Sequence, residues 1–290
     1  MQHDISISVI NNSVGQPQQS NGIMMLFMQA VAVAGTFSLN QPYLITSPTD
    51  AANLGINAAY DTTNGTAVFQ QINEYYNEGG TGKLLWIVGV PLNTAYAAYV
   101  ASATFDAMIA YTAQADPANR AKIIGLCYAP PTTLQSATDF PADVLATLPA
   151  LQAKYLTLFA LGYQFSAVVD GYNMSSTVTP ATIGTLATMT NYAISLCITG
   201  TQPNGVSAVG LCLGRFSKIS IGHGLGAVAD GSVNTTTAYL TNSIVTTPVS
   251  VLVVGHIYTV FGGVATDTVV YNGVTYTVGQ SFTADRRAHV

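Results

Sequence analysis

Two glutamates stand four residues apart, Glu74 and Glu78, and they are the only glutamates in a chain of 290 residues. A carboxylate pair on one helix face is the raw material of general acid–base chemistry. Here the pair falls at the C-terminal end of a predicted helix, so it reads as a solvated face. Gly222-His-Gly-Leu-Gly226-Ala-Val-Ala-Asp230 fits G-x-G-x-x-A from Gly224, and Ser217–Ile221 before it reads as a short strand. A dinucleotide site would also need an apolar helix next and an acid about 20 residues on. Asp-Gly-Ser-Val-Asn follows instead, so a glycine-rich turn is expected. Arg215 and Lys218 lie beside that turn, where they are either anion contacts or paired and surface charges. The histidines His3, His223, His256 and His289 are isolated, and Cys127, Cys197 and Cys212 each sit in an apolar run as expected of buried reduced thiols. Asp139 and Asp143 flank a helix start and read as partners of its dipole. The expectation is a protein that is not an enzyme and carries no cofactor and no metal.

The elements that would position these residues alternate. Pro42–Thr46 is a short apolar strand, and Ser47-Pro-Thr-Asp50 supplies a capping oxygen, an early proline and an acid for a helix start. Val68, Phe69, Ile72 and Tyr75 predict a helix over 66–76 that stops at Gly79-Gly80. The apolar runs 83–90, 122–128 and 165–170 read as strands buried on both faces. The Ala-rich segments 94–112 and 142–161 read as the helices between them. Residues 181–188 predict a short helix, 192–199 a strand or helix, and 206–213 and 217–221 short apolar elements separated by Gly214. Strands alternating with helices predict an α/β fold with a mainly parallel sheet flanked by helices.

Both ends differ from this middle. Ile5, Ser6, Ile7, Ser8, Val9 and Ile10 alternate as a short strand, followed by the polar, glycine- and proline-containing linker Asn11–Gly22. Such a tethered N-terminal strand pairs either within its own chain or with the sheet edge of another. Beyond residue 235 the pattern is all β, with apolar runs at 249–254 and 256–261. Val269 and Tyr271, then Asn272-Gly273, then Val274 and Tyr276 predict a hairpin. The tail Ala284–Val290 reads as polar and frayed. The resulting division is an arm and linker (1–21), an α/β core (22–235) and a β-rich C-terminal hairpin region (236–290).

Charge sets the function classes. Only 21 residues are charged, 8 basic and 13 acidic, or 7% of the chain, where about 25% is usual. Eight scattered cations form no basic stripe, so nucleic acid is not an expected partner. The longest apolar run, Ile23–Ala34 broken by Gln29, falls short of the ~20 residues that span a bilayer. No membrane partner is expected, and the N-terminus lacks the pattern of a signal peptide. A surface so poor in charge is explained if other subunits cover much of it.

Four segments, in this order, resemble the contractile tail sheath proteins of bacteriophages and related injection systems. Pro42-Tyr-Leu-Ile-Thr-Ser47 with Leu54-Gly55 is similar to the family's P-x-L-I-x-S … F/L-G opening. Ile72–Gly80 followed by Leu84–Val90 is similar to its helix-to-strand passage, with Tyr75-Tyr76 in place of paired Phe. Arg120–Pro130 matches a strand that ends at proline, and Gln202–Gly210 with Leu213-Gly-Arg215 is similar to its Gly-rich P-P-S-G region. The resemblance implies a subunit of the virion, assembled in a bacterial cytoplasm into stacked hexameric rings around a tail tube. Its partners would be other copies of itself, the tube and the baseplate. It implies inter-subunit contacts at Ile5–Ile10, Val269, Tyr271, Val274 and Tyr276, and places Glu74, Glu78, Arg286 and Arg287 on the outer wall or at ring contacts. Another virion protein (tube, capsid or decoration) and an α/β ligand-binding protein or enzyme are the alternatives.

Overall fold

The computed structural model describes residues 23–115, 117, 120–132, 141–173, 193–218, 239–240, 251–259, 268–271, 274–277 and 281–289. In chain order the elements begin β1 (Ile23–Ala30), β2 (Pro42–Ile45), α1 (Pro48–Asn53), α2 (Ala58–Asn64), α3 (Val68–Gly79) and β3 (Leu85–Pro91). Next come α4 (Tyr96–Ala101), α5 (Ala103–Ala115), β4 (Ala121–Cys127), α6 (Ala142–Ala160), β5 (Ser166–Asp170), β6 (Ile194–Cys197) and β7 (Thr199–Gly200). The last are α7 (Val209–Lys218), β8 (Tyr239–Leu240), β9 (Val251–Thr259), β10 (Thr268–Tyr271), β11 (Val274–Thr277) and β12 (Ser281–His289).

Eight strands form one sheet in the order β12-β9-β6-β5-β4-β1-β3-β2. The five middle strands, β6 to β3, run parallel, while β2, β9 and β12 each pair antiparallel with a neighbour. The fold is the expected α/β arrangement. Its centre is β1, buried along its whole length between β3 and β4. Alternate residues of β1 serve opposite layers, as the twofold period of a strand requires. Met24, Leu26 and Met28 face one, with Ile72, Tyr75, Leu211 and Leu213, whereas Met25 and Phe27 face the other, with Tyr96, Phe105, Val144 and Leu148. Helices α1, α2, α3 and α7 thus cover one face, and α4, α5 and α6 cover the other. Each fully buried Met, Leu or Phe contributes about 1.5–3 kcal/mol, so β1 joins the two layers energetically as well as spatially.

Local chemistry explains most boundaries. Ser47 caps α1, accepting from the Asp50 amide, and the Asp50 carboxylate accepts from the Thr46 amide and hydroxyl. These bonds, together with the turn, hold the Asp50 carboxyl below its ordinary value. The helix expected over 94–112 is two helices. Ser102 is extended, its Oγ accepts from the Phe105 amide, and so a serine that could have stayed helical starts a new helix.

Three expectations are corrected. The apolar pieces 206–213 and 217–221, with Gly214 as a break, give way to α7, which runs unbroken through Gly214 to Lys218. Gly214 is there for contact: a Cβ on it would lie 2.4 Å from the Tyr75 carbonyl oxygen of α3, and one on Gly210 would lie 1.9 Å from that of Gln71. The runs 249–254 and 256–261 form the one strand β9. The supposed frayed tail is β12, which pairs with β9 from Ser281↔Thr259 to His289↔Val251. The helix expected at 181–188 lies outside the described residues.

Candidate functional site

In an open parallel sheet, ligands usually lodge beyond the carboxyl ends of strands where the chain reverses its winding. Here that place lies between β1 and β4, and side chains of the protein fill it. Gln29, at the end of β1, donates to the Thr94 carbonyl and accepts from the Ala129 amide, both at 2.9 Å. Tyr96 donates its hydroxyl to the carbonyls of Phe27 and Cys127. Tyr128 donates to Asp143 at 2.6 Å, and Asp143 also caps α4 by accepting from the Tyr96 and Ala97 amides. Asp143 therefore stands in the first turn of α6, as expected, and serves a second helix as well. Asp139 lies outside the described residues.

Next to this plug, at the end of β5, Asp170 is wholly buried. It accepts from the Tyr128 amide, the Ser207 amide and the Ser207 hydroxyl at 2.7–3.1 Å. Burial raises its carboxyl from the ordinary range to about 7, against the pull of those hydrogen bonds. No sequence pattern singled Asp170 out, because its partners lie 37 and 42 residues away.

An open concavity lies elsewhere, on the face covered by α2, α3 and α7. It encloses about 730 Å³ between α2, α3 and the segment 201–204. Its lining includes Asp61, Gln70, Asn73, Glu74, Asn77 and Asn204. Asp61 reaches from α2 to cap α3: it accepts from the Phe69 and Gln70 amides and from the Thr66 hydroxyl. Glu74 is 7% exposed. Its Oε1 accepts from Gln70 Nε2 at 2.8 Å and from the Thr201 hydroxyl, and Asn204 in turn donates to Gln70. Its Oε2 is buried and has no hydrogen-bond partner among the described residues. Burial raises this carboxyl to about 7, against those two hydrogen bonds.

Glu78 is buried too. It meets the buried guanidinium of Arg215 at 3.0 Å and the half-exposed ammonium of Lys218 at 3.7 Å. The expectation that Glu74 and Glu78 form a solvated face is therefore overturned. α7 packs on that side of α3 and covers it, and the partner Arg215 lies 137 residues from Glu78 in sequence. Of the two readings of Arg215 and Lys218, the ion pair holds.

The other sequence candidates divide plainly. Ser217 and Lys218 are helical, which removes the start of the strand expected before the glycine-rich turn; Gly222–Asp230 lie outside the described residues. Cys127, Cys197 and Cys212 are buried and form no disulfide with one another. Among the described residues no three His, Cys, Asp or Glu side chains converge to hold a metal ion, and no helix is long and apolar enough to cross a membrane. Ile5–Ile10 lie outside the described residues. Val269, Tyr271, Val274 and Tyr276 fall in the β10–β11 hairpin, paired as Val269↔Tyr276 and Tyr271↔Val274.

Fold and site define a doubly covered α/β protein with a plugged switch-point crevice and a polar cleft on one helical layer. Residues 2–251 match the family DUF2586, N-terminal domain, and the chain belongs to that family. No curated protein matches the sequence. Among solved structures, the chain is similar to the helical sheath of the anti-feeding prophage in its contracted state, with 11% identity and a TM-score of 0.39. The likeness covers 81% of this chain and 59% of that one, so the chain spans about three fifths of the sheath subunit's length.

Proposed function

We propose that the chain is a structural subunit of a phage virion, and specifically of a contractile tail sheath. It would polymerise with itself into stacked hexameric rings around a tail tube. The observation that carries this reading is the depletion of surface charge. Of 21 charged residues, Glu74, Glu78, Asp170 and Arg215 are withdrawn into the interior, so the outer surface is poorer in charge than the composition implies. Charge is depleted where protein surfaces bury one another.

Two further features support it. The sheet ends in β12, a nine-residue strand whose outer edge pairs with no strand among the described residues. Such an edge accepts a strand from another chain through main-chain hydrogen bonds. Leu156 and Phe159, three apart on α6, and Tyr111 on α5 are about half exposed. The ordered motifs at 42–55, 72–90, 120–130 and 202–215 add the sheath resemblance. Tube and baseplate proteins would be the other partners, and the subunit would work without catalysis or a cofactor.

The test is electron microscopy of the purified chain, with and without residues 1–21. The expected outcome is rings or tubes of six-fold symmetry for the full chain, and their loss in a truncated chain whose circular dichroism is unchanged. A full chain that stays monomeric at the highest attainable concentration contradicts the reading.

A further inference from the structure

The exposed surface of α6 is apolar. Pro149, Ala153, Leu156, Phe159 and Ala160 are exposed, and of the exposed residues of this helix Thr157 alone is polar. Its two charged side chains are engaged with neighbours: Asp143 with Tyr128 and the start of α4, Lys154 with Asp106 of α5. The large side chains gather at its C-terminal end, where Leu156 is 50% exposed, Phe159 47% and the capping residue Leu161 66%. A helix that is apolar all round belongs in an interior, and a cluster of exposed large apolar side chains marks a surface that something covers.

The place where the chain enters the fold points to the occupant. α6 ends at the amino edge of the parallel strands, because its last residues lead directly into β5. β1 begins at the same edge. Ile23 pairs with Ala121, and the adjoining Arg120 donates to the carbonyl of Gly162, next to Leu161, at 3.2 Å. Residues 1–22 are therefore tethered beside the apolar end of α6. From Ile10 to Ile23 the chain reaches at most about 45 Å, ample for a neighbour one connection away. Ile5–Ile10 is the apolar stretch of this arm, alternation sets Ile5, Ile7 and Val9 on one side of an extended segment, and residues 5–22 contain no charge to desolvate. A tether of this kind gives an effective concentration on the order of 1 mM, which no separate chain matches in dilute solution. We propose that in the unassembled chain Ile5–Ile10 packs across Leu156, Phe159 and Leu161 of its own α6, and is withheld there from the sheet edges of other copies. The inference goes beyond the assembly reading: it describes the chain before assembly and holds whether or not the assembled form is a sheath.

The experiment replaces Phe159 by the photocrosslinker p-benzoylphenylalanine in the full chain. Heavy-isotope and ordinary chains are mixed in equal amounts and illuminated below the concentration at which microscopy shows assemblies. Mass spectrometry should find position 159 joined to residues 5–10, both peptides of each pair carrying the same isotope. Ile7→Asp combined with Val9→Asp should cut that yield roughly tenfold, because ionised carboxylates do not leave water for an apolar surface. The same two changes, made in the chain with Phe159 intact, should raise the binding of a hydrophobic dye while circular dichroism stays the same. Crosslinks that join heavy to ordinary chains assign the surface to a second copy and overturn the proposal. So do crosslinks that miss residues 5–10, and a yield or a dye signal that the two aspartates leave unchanged. Microscopy of the wild-type chain judges the assembly reading separately. Tubes with failed crosslinking leave sheath assembly standing without the stowed arm, and same-chain crosslinks without tubes leave the reverse.

Discussion

The two helical layers solve the same problem by opposite means. The layer of α4, α5 and α6 fills its space with rings: Phe27 against Phe105 at 5.0 Å, Tyr96 against Tyr128 at 4.8 Å, and Tyr155 against Phe165 at 5.6 Å. The layer of α3 and α7 brings two backbones together at Gly210 and Gly214 and buries an ion pair between them, with the Glu74 carboxyl buried one turn along α3. Ring packing tolerates change because neighbours can shift. Backbone contact and buried charge do not, because a carbonyl cannot move out of its own helix and a buried charge cannot find water. The α3–α7 layer should therefore be the brittle one.

The sharpest way to break this contrast is Arg215→Ala. It leaves Glu78 buried without its close cation, and a loss of about 3–5 kcal/mol is expected by chemical denaturation. Arg215→Met combined with Glu78→Leu should recover most of it, which separates the value of the pair from the cost of half of it. Gly210→Ala, which drives a methyl into the Gln71 carbonyl, should cost about 3 kcal/mol, the upper end for overpacking. The mirror change in the other layer, Tyr96→Phe, removes one hydroxyl donor and should cost only about 1 kcal/mol. Equal costs for Gly210→Ala and Tyr96→Phe would erase the distinction.

pH provides a test with a known sign. Glu74 and Asp170 are both raised by burial, from ordinary values of 4.5 and 3.8 to about 7. The folded protein therefore holds protons between about pH 4.5 and 7 that the unfolded chain has lost. Their contribution is complete below the unfolded values and disappears as pH rises through 7. The melting temperature should be higher at pH 5.5 than at pH 8, and Glu74→Gln should flatten part of that slope. A melting temperature that rises from pH 5.5 to pH 8 contradicts the burial of both carboxyls.

The same contrast explains what could be read from the sequence. The strands 83–90, 122–128 and 165–170 and the helices between them were legible because burial on two faces leaves long apolar runs. The central strand β1 stood inside a noted apolar run, but Ile23-Met-Met-Leu-Phe-Met-Gln-Ala30 is rich in unbranched residues and short of the β-branched ones that signal a strand. α7 was hidden because a glycine that permits helix contact looks, in one dimension, like a glycine that ends an element. Glu74 and Glu78 looked solvated because everything that buries them is distant: Thr201 is 127 residues from the first and Arg215 is 137 from the second. Proximity of that kind is created by the sheet order, and no local pattern carries it.

The place of β1 has a mechanical consequence. Whatever holds the arm at residues 1–21 is joined through residue 22 to the start of β1, the strand at the centre of the sheet. A pull along that strand loads its ladders to β3, from Met24 to Ala30, and to β4, from Ile23 to Met28, in shear. The bonds on both sides must give way together, whereas an edge strand such as β2 could be peeled one pair at a time. Tension entering at the N-terminus is thereby shared between two parallel ladders at the centre of the sheet.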